Sequence, residues 1–589
     1  MNMRARRLFV SLLIAAGAIT AASKTPKPKA PPLTPEQRAT QAQMKTMSLR
    51  DKVAQLVIVS ANGEVYSTKS PDYEKYRHWV ADLHVGGIII NNASQYGLVR
   101  NAEPHALALF LNQMQRLAKT PLLVASDFER AASMRVTGGT RFPHSMAFGA
   151  ANDLAATKFE GLTAAREARA MGIHWIFAPV ADVNNNPSNP IINLRSYGED
   201  PEQVSRHVAA FIDGAHSDPD SRVLVTAKHF PGHGDTDVDS HLSLPRLEVP
   251  RERLDAMELK PFEAAIARGV DSIMTAHMAV PALEPSGMPA TVSPRVLTGL
   301  LRDELKFKGL IVTDSMAMQG LAMLFDSGEG SVRSIIAGAD VLLMPPDPDK
   351  AIRAVVGAVE DGRISRQRLE QSVARVLAAK LALGLSNKKK LVNLDAISDV
   401  LDSPVAADKA QAVADHAVTL IRTDHDVLPL ATSSRPCLVV ITELRISQLG
   451  QRTIQEFRRR APNLKVVSVD TGLPLAALQA TAGDMTTCSA IVVASFASVS
   501  ADLKDVKPFL TLLSTSAAPM VLLPFENPYL LTSVPSAAVF LATFSSSLPS
   551  EIAAVKALFG EIPITGHTPV SIPGFAQLGD GIQLPAKSR

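Results

Sequence analysis

A (β/α)8 TIM-type barrel followed by a smaller open α/β sandwich domain is the fold class this sequence predicts. Three observations carry it. Short apolar runs alternate with amphipathic stretches, eight such units fall within roughly 350 residues, and polar residues gather where the runs end. Continuous apolar strands separated by helices indicate a parallel sheet buried on both faces.

The runs, in order, are "VAQLVIV" (Val53 to Val59), "VGGIII" (Val85 to Ile90), "LLVASD" (Leu122 to Asp127) and "WIFAPVAD" (Trp175 to Asp182). They continue with "VLVTAKHF" (Val223 to Phe230), "SIMTAHM" (Ser272 to Met278), "GLIVTDS" (Gly309 to Ser315) and "DVLLMPP" (Asp340 to Pro346). Stretches such as "PHALALFLNQMQRLAK" and "RLDAMELKPFEAAIARG" between them carry helical amphipathicity. Asp127, Asp182, Lys228, His229, His277 and Asp314 each sit at or just past the C-terminal end of a run. In a barrel that end is the mouth, built from the βα loops. From about Ala406 a second series follows, "AVTLIR", "CLVVIT", "LKVVSVD", "AIVVAS", "PMVLLPF" and "AAVFLATF", with no dense titratable cluster.

Ahead of the first unit, Arg4, Arg6 and Arg7 precede an apolar run from Leu8 to Ala22, the pattern of a secretory signal peptide. The expected division is a signal peptide at 1–23, a Pro- and Lys-rich linker at 24–35 and a barrel at 36–385. A linker at 386–405, the α/β sandwich at 406–575 and a tail at 576–589 follow. No membrane span is expected after signal cleavage, and no Cys near the leader's end offers a lipid anchor, so the protein is expected to be periplasmic or secreted. Net charge is +3 with Lys and Arg dispersed, which excludes a nucleic-acid footprint. The two cysteines, Cys437 and Cys488, each adjoin an apolar strand; a disulfide and two buried thiols fit equally.

The chemistry concentrates in "AKHFPGHGDTDVDSHLSLP", Ala227 to Pro245, with three His and three Asp. As metal ligands, His229, His233, His241, Asp235, Asp237 and Asp239 match neither an H-E-x-x-H helix nor a compact pair on one strand. As an acid/base device, Asp239 and His241 are two residues apart on one side of an extended segment. The carboxylate would fix the tautomer and leave the other ring nitrogen for a substrate; a surface Asp–His pair of no consequence fits the same spacing. Asp314, leaving an apolar strand at the mouth, suits attack on or stabilisation of an oxocarbenium-like centre, and equally the cap of the next helix.

At these residues the chain resembles glycoside hydrolase family 3, in its β-N-acetylglucosaminidase branch. The likeness runs through "MSLRDKVAQL", "NPIINLRSYGEDPEQVS", "AKHFPGHGDTDVDSHLSLP", "MTAHMAVPAL", "VTDSMAM", "AGADVLLMP" and "ITGHTPVSIPG". The resemblance implies Asp314 as nucleophile, His241 as acid/base and Asp239 as its dyad partner on a mobile loop. It implies Asp127, Arg195, Lys228 and His229 as ligands of the sugar hydroxyls, with His277 and Met274 shaping the pocket, and no metal or other cofactor. One stretch departs: where the family reads "DQEGGRVxR", this chain has "DFERAASMRVTGGTRFP", which keeps Asp127, loses the Gly pair and alters the spacing to Arg141.

The resemblance thus implies a retaining exo-β-N-acetylglucosaminidase acting on terminal β-linked N-acetylglucosamine. Export points to peptidoglycan fragments (muropeptides) as substrates, with chitin oligosaccharides or β-glucosides as the alternative. Phosphate could replace water as acceptor, because a neutral His repels it less than a carboxylate would. A metal-dependent barrel hydrolase and a non-catalytic glycan-binding protein are the readings from other classes. A monomer or a homodimer fits.

Overall fold

The computed structural model describes residues 34–95, 98–424 and 427–587. The expected signal peptide and nearly all of the first linker lie outside the described residues.

Eight parallel strands form the barrel. They are β1 (Val57–Ala61), β2 (Gly87–Ile90), β3 (Leu123–Ser126) and β4 (Trp175–Ile176), then β5 (Leu224–Phe230), β6 (Ser272–Thr275), β7 (Leu310–Thr313) and β8 (Leu342–Leu343). They pair in the order β7-β6-β5-β4-β3-β2-β1-β8. The ring closes where Val312 bridges Val341 and the Thr313 N–H donates to the Val341 carbonyl at 3.1 Å.

Each apolar run supplies its strand, with ends shifted for local reasons. Leu49–Ala54 is a helix, capped by the Ser48 hydroxyl that accepts from the Asp51 N–H, so the first strand starts at Val57 rather than Val53. The fourth run is ladder-paired only at Trp175 and Ile176. Pro179 has no N–H for the ladder, and pairing resumes with a bridge from Val180 to Lys228. Inside the barrel the fully buried Trp175 shares its indole N–H between Thr226 Oγ1 (2.8 Å) and Ser272 Oγ (2.9 Å), which satisfies its one polar atom.

Helices cover the barrel by their apolar stripes. Pro104–Leu117 buries Leu107, Phe110, Leu111 and Met114 at the i, i+3, i+4, i+7 spacing. Pro201–Ala215 starts at Asp200, whose carboxylate accepts the N–H groups of Glu202 and Gln203. The stretch around "RLDAMELKPFEAAIARG" splits into two helices, Arg251–Ala256 and Lys260–Ala267. Below the strands' N-terminal ends, buried Lys380 donates to Gln55 Oε1 at 2.7 Å. Burial pushes its ammonium down to about 7.

The second sheet has six strands: β9 (Thr419–Thr423), β10 (Pro436–Thr442), β11 (Lys465–Asp470), β12 (Ala490–Ser495), β13 (Met520–Pro524) and β14 (Val539–Ala542). Their order is β9-β14-β13-β12-β10-β11, parallel except for the β9–β14 pair. Alternation along β10 sends Leu438 and Val440 to one apolar layer and Val439 and Ile441 to the other. The second of these layers also contains Met146, Ala147 and Leu194, so residues from the barrel part of the chain pack into the second sheet's core. Polar contacts join them too, from Asn184 Nδ2 to the Tyr529 hydroxyl (2.9 Å) and from the His144 N–H to Ser545 Oγ (3.1 Å). Cys437 and Cys488, left open by the sequence, form a disulfide with Cα atoms 5.7 Å apart.

Candidate active site

A cavity of about 370 Å3 opens at the C-terminal end of the barrel strands, lined among others by Asp127, Arg195, Lys228, His229, His241, Met274 and Asp314. Seven of the nine residues singled out from the sequence therefore line one cavity. The other two stand behind its wall. Asp239 supports His241, and His277, fully buried, supports the segment after Asp314.

Lys228 is the centre of one wall of the cavity. It reaches the mouth as the fifth residue of β5 and is buried, with Nζ 2.8 Å from Asp127 Oδ1 and 2.7 Å from Glu129 Oε1. Arg195 closes on Glu129 with two N–H bonds, Nε to Oε2 (2.9 Å) and an η nitrogen to Oε1 (2.8 Å). Arg135 pairs with the other oxygen of Asp127 at 3.0 Å. Burial works against the charge on Glu129, but Arg195 and Lys228 outweigh it and hold the carboxyl well below its usual range. The same opposition, won by Lys228 and Arg135, keeps Asp127 low. Lys228 is in turn raised, because Asp127 and Glu129 overcome the cost of its burial. The wall thus holds permanent donors and acceptors in fixed positions, the equipment for gripping vicinal hydroxyls.

Asp182, which ends the fourth run, is fully buried and organises the next loop. Its carboxylate accepts from His229 Nδ1 (2.8 Å) and from the N–H groups of His229 (3.1 Å) and His233 (2.7 Å). A carboxylate partner fixes His229 Nδ1 as the protonated nitrogen, which leaves Nε2 as an acceptor towards Arg195, 3.4 Å away. Gly232 and Gly234 let the loop fold there. Gly232 has φ +125°, and a Cβ on Gly234 would lie 1.7 Å from the Val183 carbonyl oxygen.

Asp314 leaves β7 with its backbone N–H on the Thr275 carbonyl (3.2 Å) and Oδ1 accepting the Ser315 N–H (2.7 Å). Among the described residues no ion pair engages it, unlike Asp127 and Glu129, and it lines the cavity. Behind it His277 Nε2 donates to the Ser315 carbonyl (3.0 Å), while Nδ1 meets Thr291 Oγ1 (2.8 Å). Burial lowers the pKa of His277, against the opposing pull of Asp314.

His241 completes the set on an exposed loop. Its Nδ1 lies 2.8 Å from Asp239 Oδ1, which also takes its backbone N–H at 2.8 Å. The side chain is 55% exposed, so Nε2 is free to meet solvent or a leaving group. The loop rests on the chain after Asp314, with the Gly320 N–H donating to the Ser240 carbonyl at 3.1 Å. The three loop histidines thus have separate partners, Asp182, Thr236 and Asp239. Among the described residues no group of three or more His, Cys, Asp or Glu is placed to hold a metal ion.

Sequence reasoning missed Glu129, Arg135 and the support given by Asp182. Glu129 was legible, being two residues beyond Asp127 in an extended segment and hence on its side. The loop that lacks the Gly pair keeps a left-handed residue, Ala131 at φ +51°, stapled by Glu167, which accepts from the N–H groups of Ala132 (3.1 Å) and Thr140 (2.9 Å). Within it Arg135, not Arg141, reaches Asp127; Arg141 is exposed in a crevice between barrel and second sheet.

Comparison with known proteins agrees with this architecture. The glycosyl hydrolase family 3 N-terminal domain matches residues 48–379. A protein of Cellulomonas fimi named β-N-acetylglucosaminidase/β-glucosidase is 30% identical over 529 residues, 85% of this chain and 91% of that protein. β-Hexosaminidase A of Pseudoalteromonas piscicida is 30% identical over 421 residues, 66% of this chain and 68% of that protein. The solved structure of a family 3 β-N-acetylglucosaminidase from Paenibacillus sp. str. FPU-7 matches with a TM-score of 0.77 at 31% identity, covering 90% of this chain and 99% of that one. With its barrel domain matched and its length shared with such relatives, the chain belongs to glycosyl hydrolase family 3 and is a glycoside hydrolase.

Proposed function

We propose that this chain is an exported, retaining exo-β-N-acetylglucosaminidase that removes terminal N-acetylglucosamine from peptidoglycan fragments. The observation that carries the reading is the meeting of Asp314, a carboxylate without an ion pair among the described residues, with the Asp239-supported imidazole of His241 at one cavity. Asp314 attacks the anomeric carbon while His241 gives the Nε2 proton to the departing glycosidic oxygen. A covalent glycosyl–Asp314 ester forms as the glycosidic bond breaks. In the second step His241 Nε2 takes a proton from water, whose oxygen attacks the same carbon and releases Asp314. The carboxylate of Asp239 keeps Nδ1 protonated throughout, so that only Nε2 exchanges protons with substrate. Asp127, Arg195, Lys228 and His229 bind the hydroxyls of the sugar in the cavity, and Met274 packs against it.

The cavity lies near the small end of ligand sites, roughly 300–1,000 Å3, which supports action on one terminal sugar. The name of the Cellulomonas relative supports N-acetylglucosaminide as the substrate and joins it to β-glucoside, and that of the Pseudoalteromonas relative supports a β-hexosaminide. The leader-like pattern of residues 1–23 supports export, and export supports a cell-wall source.

The test is chromophore release from an aryl N-acetyl-β-glucosaminide by wild type, Asp314→Ala and His241→Ala, with and without phosphate. Turnover lost in Asp314→Ala and a glycosyl adduct on Asp314 are expected. Free sugar as the product marks hydrolysis, and sugar 1-phosphate marks phosphorolysis. Less than a tenfold loss in His241→Ala with a poor leaving group would sink the acid/base assignment.

A further inference from the structure

Among the described residues one polar atom of His233, Nε2, has no partner, and the residue lines the cavity. The residue is 2% exposed, and every other polar atom it has is used. Its N–H goes to Asp182 Oδ1 (2.7 Å), its carbonyl receives Asn189 Nδ2 (2.9 Å), and Nδ1 lies 2.9 Å from Thr236 Oγ1. Nε2 has no partner among the described residues, although the imidazole lines the cavity. A buried polar atom without a partner costs free energy that a bound ligand would recover.

The neighbouring hydroxyl settles which kind of partner fits. Thr236 Oγ1 stands 3.2 Å from the His233 carbonyl as well as 2.9 Å from Nδ1, and it has one proton. Both contacts are satisfied only if the hydroxyl donates to the carbonyl and accepts from Nδ1–H. Nε2 is then a bare acceptor, and burial, pushing the imidazole down to about 4, keeps it so at neutral pH.

If Asp314 attacks the anomeric carbon, as proposed above, the groups beside it on the wall meet the neighbours of that carbon. These are the ring oxygen, which has no proton to give, and carbon 2. His233 and Asp314 line the same cavity, and His233 stands edge-on to His229, with ring centroids 6.3 Å apart. We infer that His233 Nε2 recognises the substituent on carbon 2 of the bound sugar by accepting a hydrogen bond from it. An acceptor takes the amide N–H of an acetamido group or a hydroxyl proton alike, and it rejects a sugar with hydrogen at that carbon. His233 is therefore a specificity-determining residue for a donor-bearing 2-substituent, and Thr236 is its positioning residue.

Three aryl β-glycosides, carrying acetamido, hydroxyl or hydrogen at carbon 2, test this with wild type, His233→Phe and His233→Gln. His233→Phe is expected to lower kcat/KM about tenfold or more on the first two and to leave the 2-deoxy substrate nearly unchanged, with partial recovery in His233→Gln, whose amide oxygen accepts. An equal loss on all three substrates overturns the inference and marks a packing role. If His233→Phe does not fold, the His233 Nε2 15N resonance of the wild type decides: it should move with saturating N-acetylglucosamine and not with 2-deoxyglucose, and equal behaviour with both overturns the inference. Inactivity of wild type on all three substrates would instead overturn the N-acetylglucosaminidase reading proposed above, and this inference with it.

Discussion

His277 Nε2 donates to the carbonyl of Ser315 at 3.0 Å, so the backbone beside Asp314 is held from inside the protein rather than from the cavity. Position, more than charge, is what this histidine supplies.

Replacing it should therefore cost rate more than binding. His277→Phe is expected to lower kcat about tenfold, the scale of one lost buried hydrogen bond, with KM changed far less. His277→Gln, whose amide can still donate to the carbonyl, should recover part of the loss. Steady-state kinetics on one aryl glycoside separates the two parameters, and a change confined to KM would contradict the assignment.

Glu129 should matter to stability as well as to binding. Its neutralisation in Glu129→Gln leaves Lys228 and Arg195 short of a counter-charge in a buried wall, which costs about 3 kcal/mol. Because the folded-state pKa is depressed, the charge stabilises the fold above the unfolded pKa, and that contribution fades as pH falls through the folded value. The gap in unfolding free energy between wild type and variant should accordingly be full at pH 7 and shrink below about pH 4. A gap independent of pH would show that the charge is not its source.

The "PGHG" bend allows a contrast between two glycines. Gly234→Ala would bring Cβ to 1.7 Å from the Val183 carbonyl oxygen, so the bend must open and displace His233 and His229. Loss of about 100-fold in kcat/KM, the effect of a misplaced binding group, and a lower Tm are expected. Gly357, inside the helix Pro348–Glu360 with open space around it, should behave oppositely. Gly357→Ala is predicted to raise stability by about 1 kcal/mol through helix propensity and to leave kinetics untouched. Equal effects at the two positions would be inconsistent with the steric argument.

Lys380 predicts a stability slope in the alkaline range. Its pKa is about 7 when folded, against an ordinary value of 10.5, so between these limits the unfolded chain holds the extra proton. Stability from this group therefore rises with pH, by at most about 1.4 kcal/mol per unit, and is complete above the unfolded pKa. Lys380→Met removes the titration, so its stability advantage over wild type should be largest at pH 7 and narrow towards pH 10. Urea unfolding at several pH values reads this directly, and parallel curves would contradict it.

The barrel and much of its mouth were legible because both are written locally. Apolar runs mark β1 to β8, and the polar residues that end them fall at one mouth by the geometry of the fold, as Asp127, Lys228, His229 and Asp314 do. What escaped depends on contacts across the chain. Arg135 rather than Arg141 meets Asp127 because of how residues 128–140 double back on Glu167, and no spacing rule encodes that path. The withdrawal of His277 behind the wall follows from its bond to Ser315, and the disulfide from the pairing of β10 with β12. Strand ends moved where a proline or a helix cap competed, at Pro179 and Ser48.

Met146, Ala147 and Leu194 belong to the barrel by sequence but to the second sheet's core by packing. A barrel severed after its last helix, Arg366–Ala382, would carry this apolar scar on its surface, next to the stretch that holds Arg195. Such a fragment should clump when expressed alone, and the fault would reach Arg195 before it reached Asp314. Anyone wishing to shorten this enzyme would need first to repave that face with polar side chains.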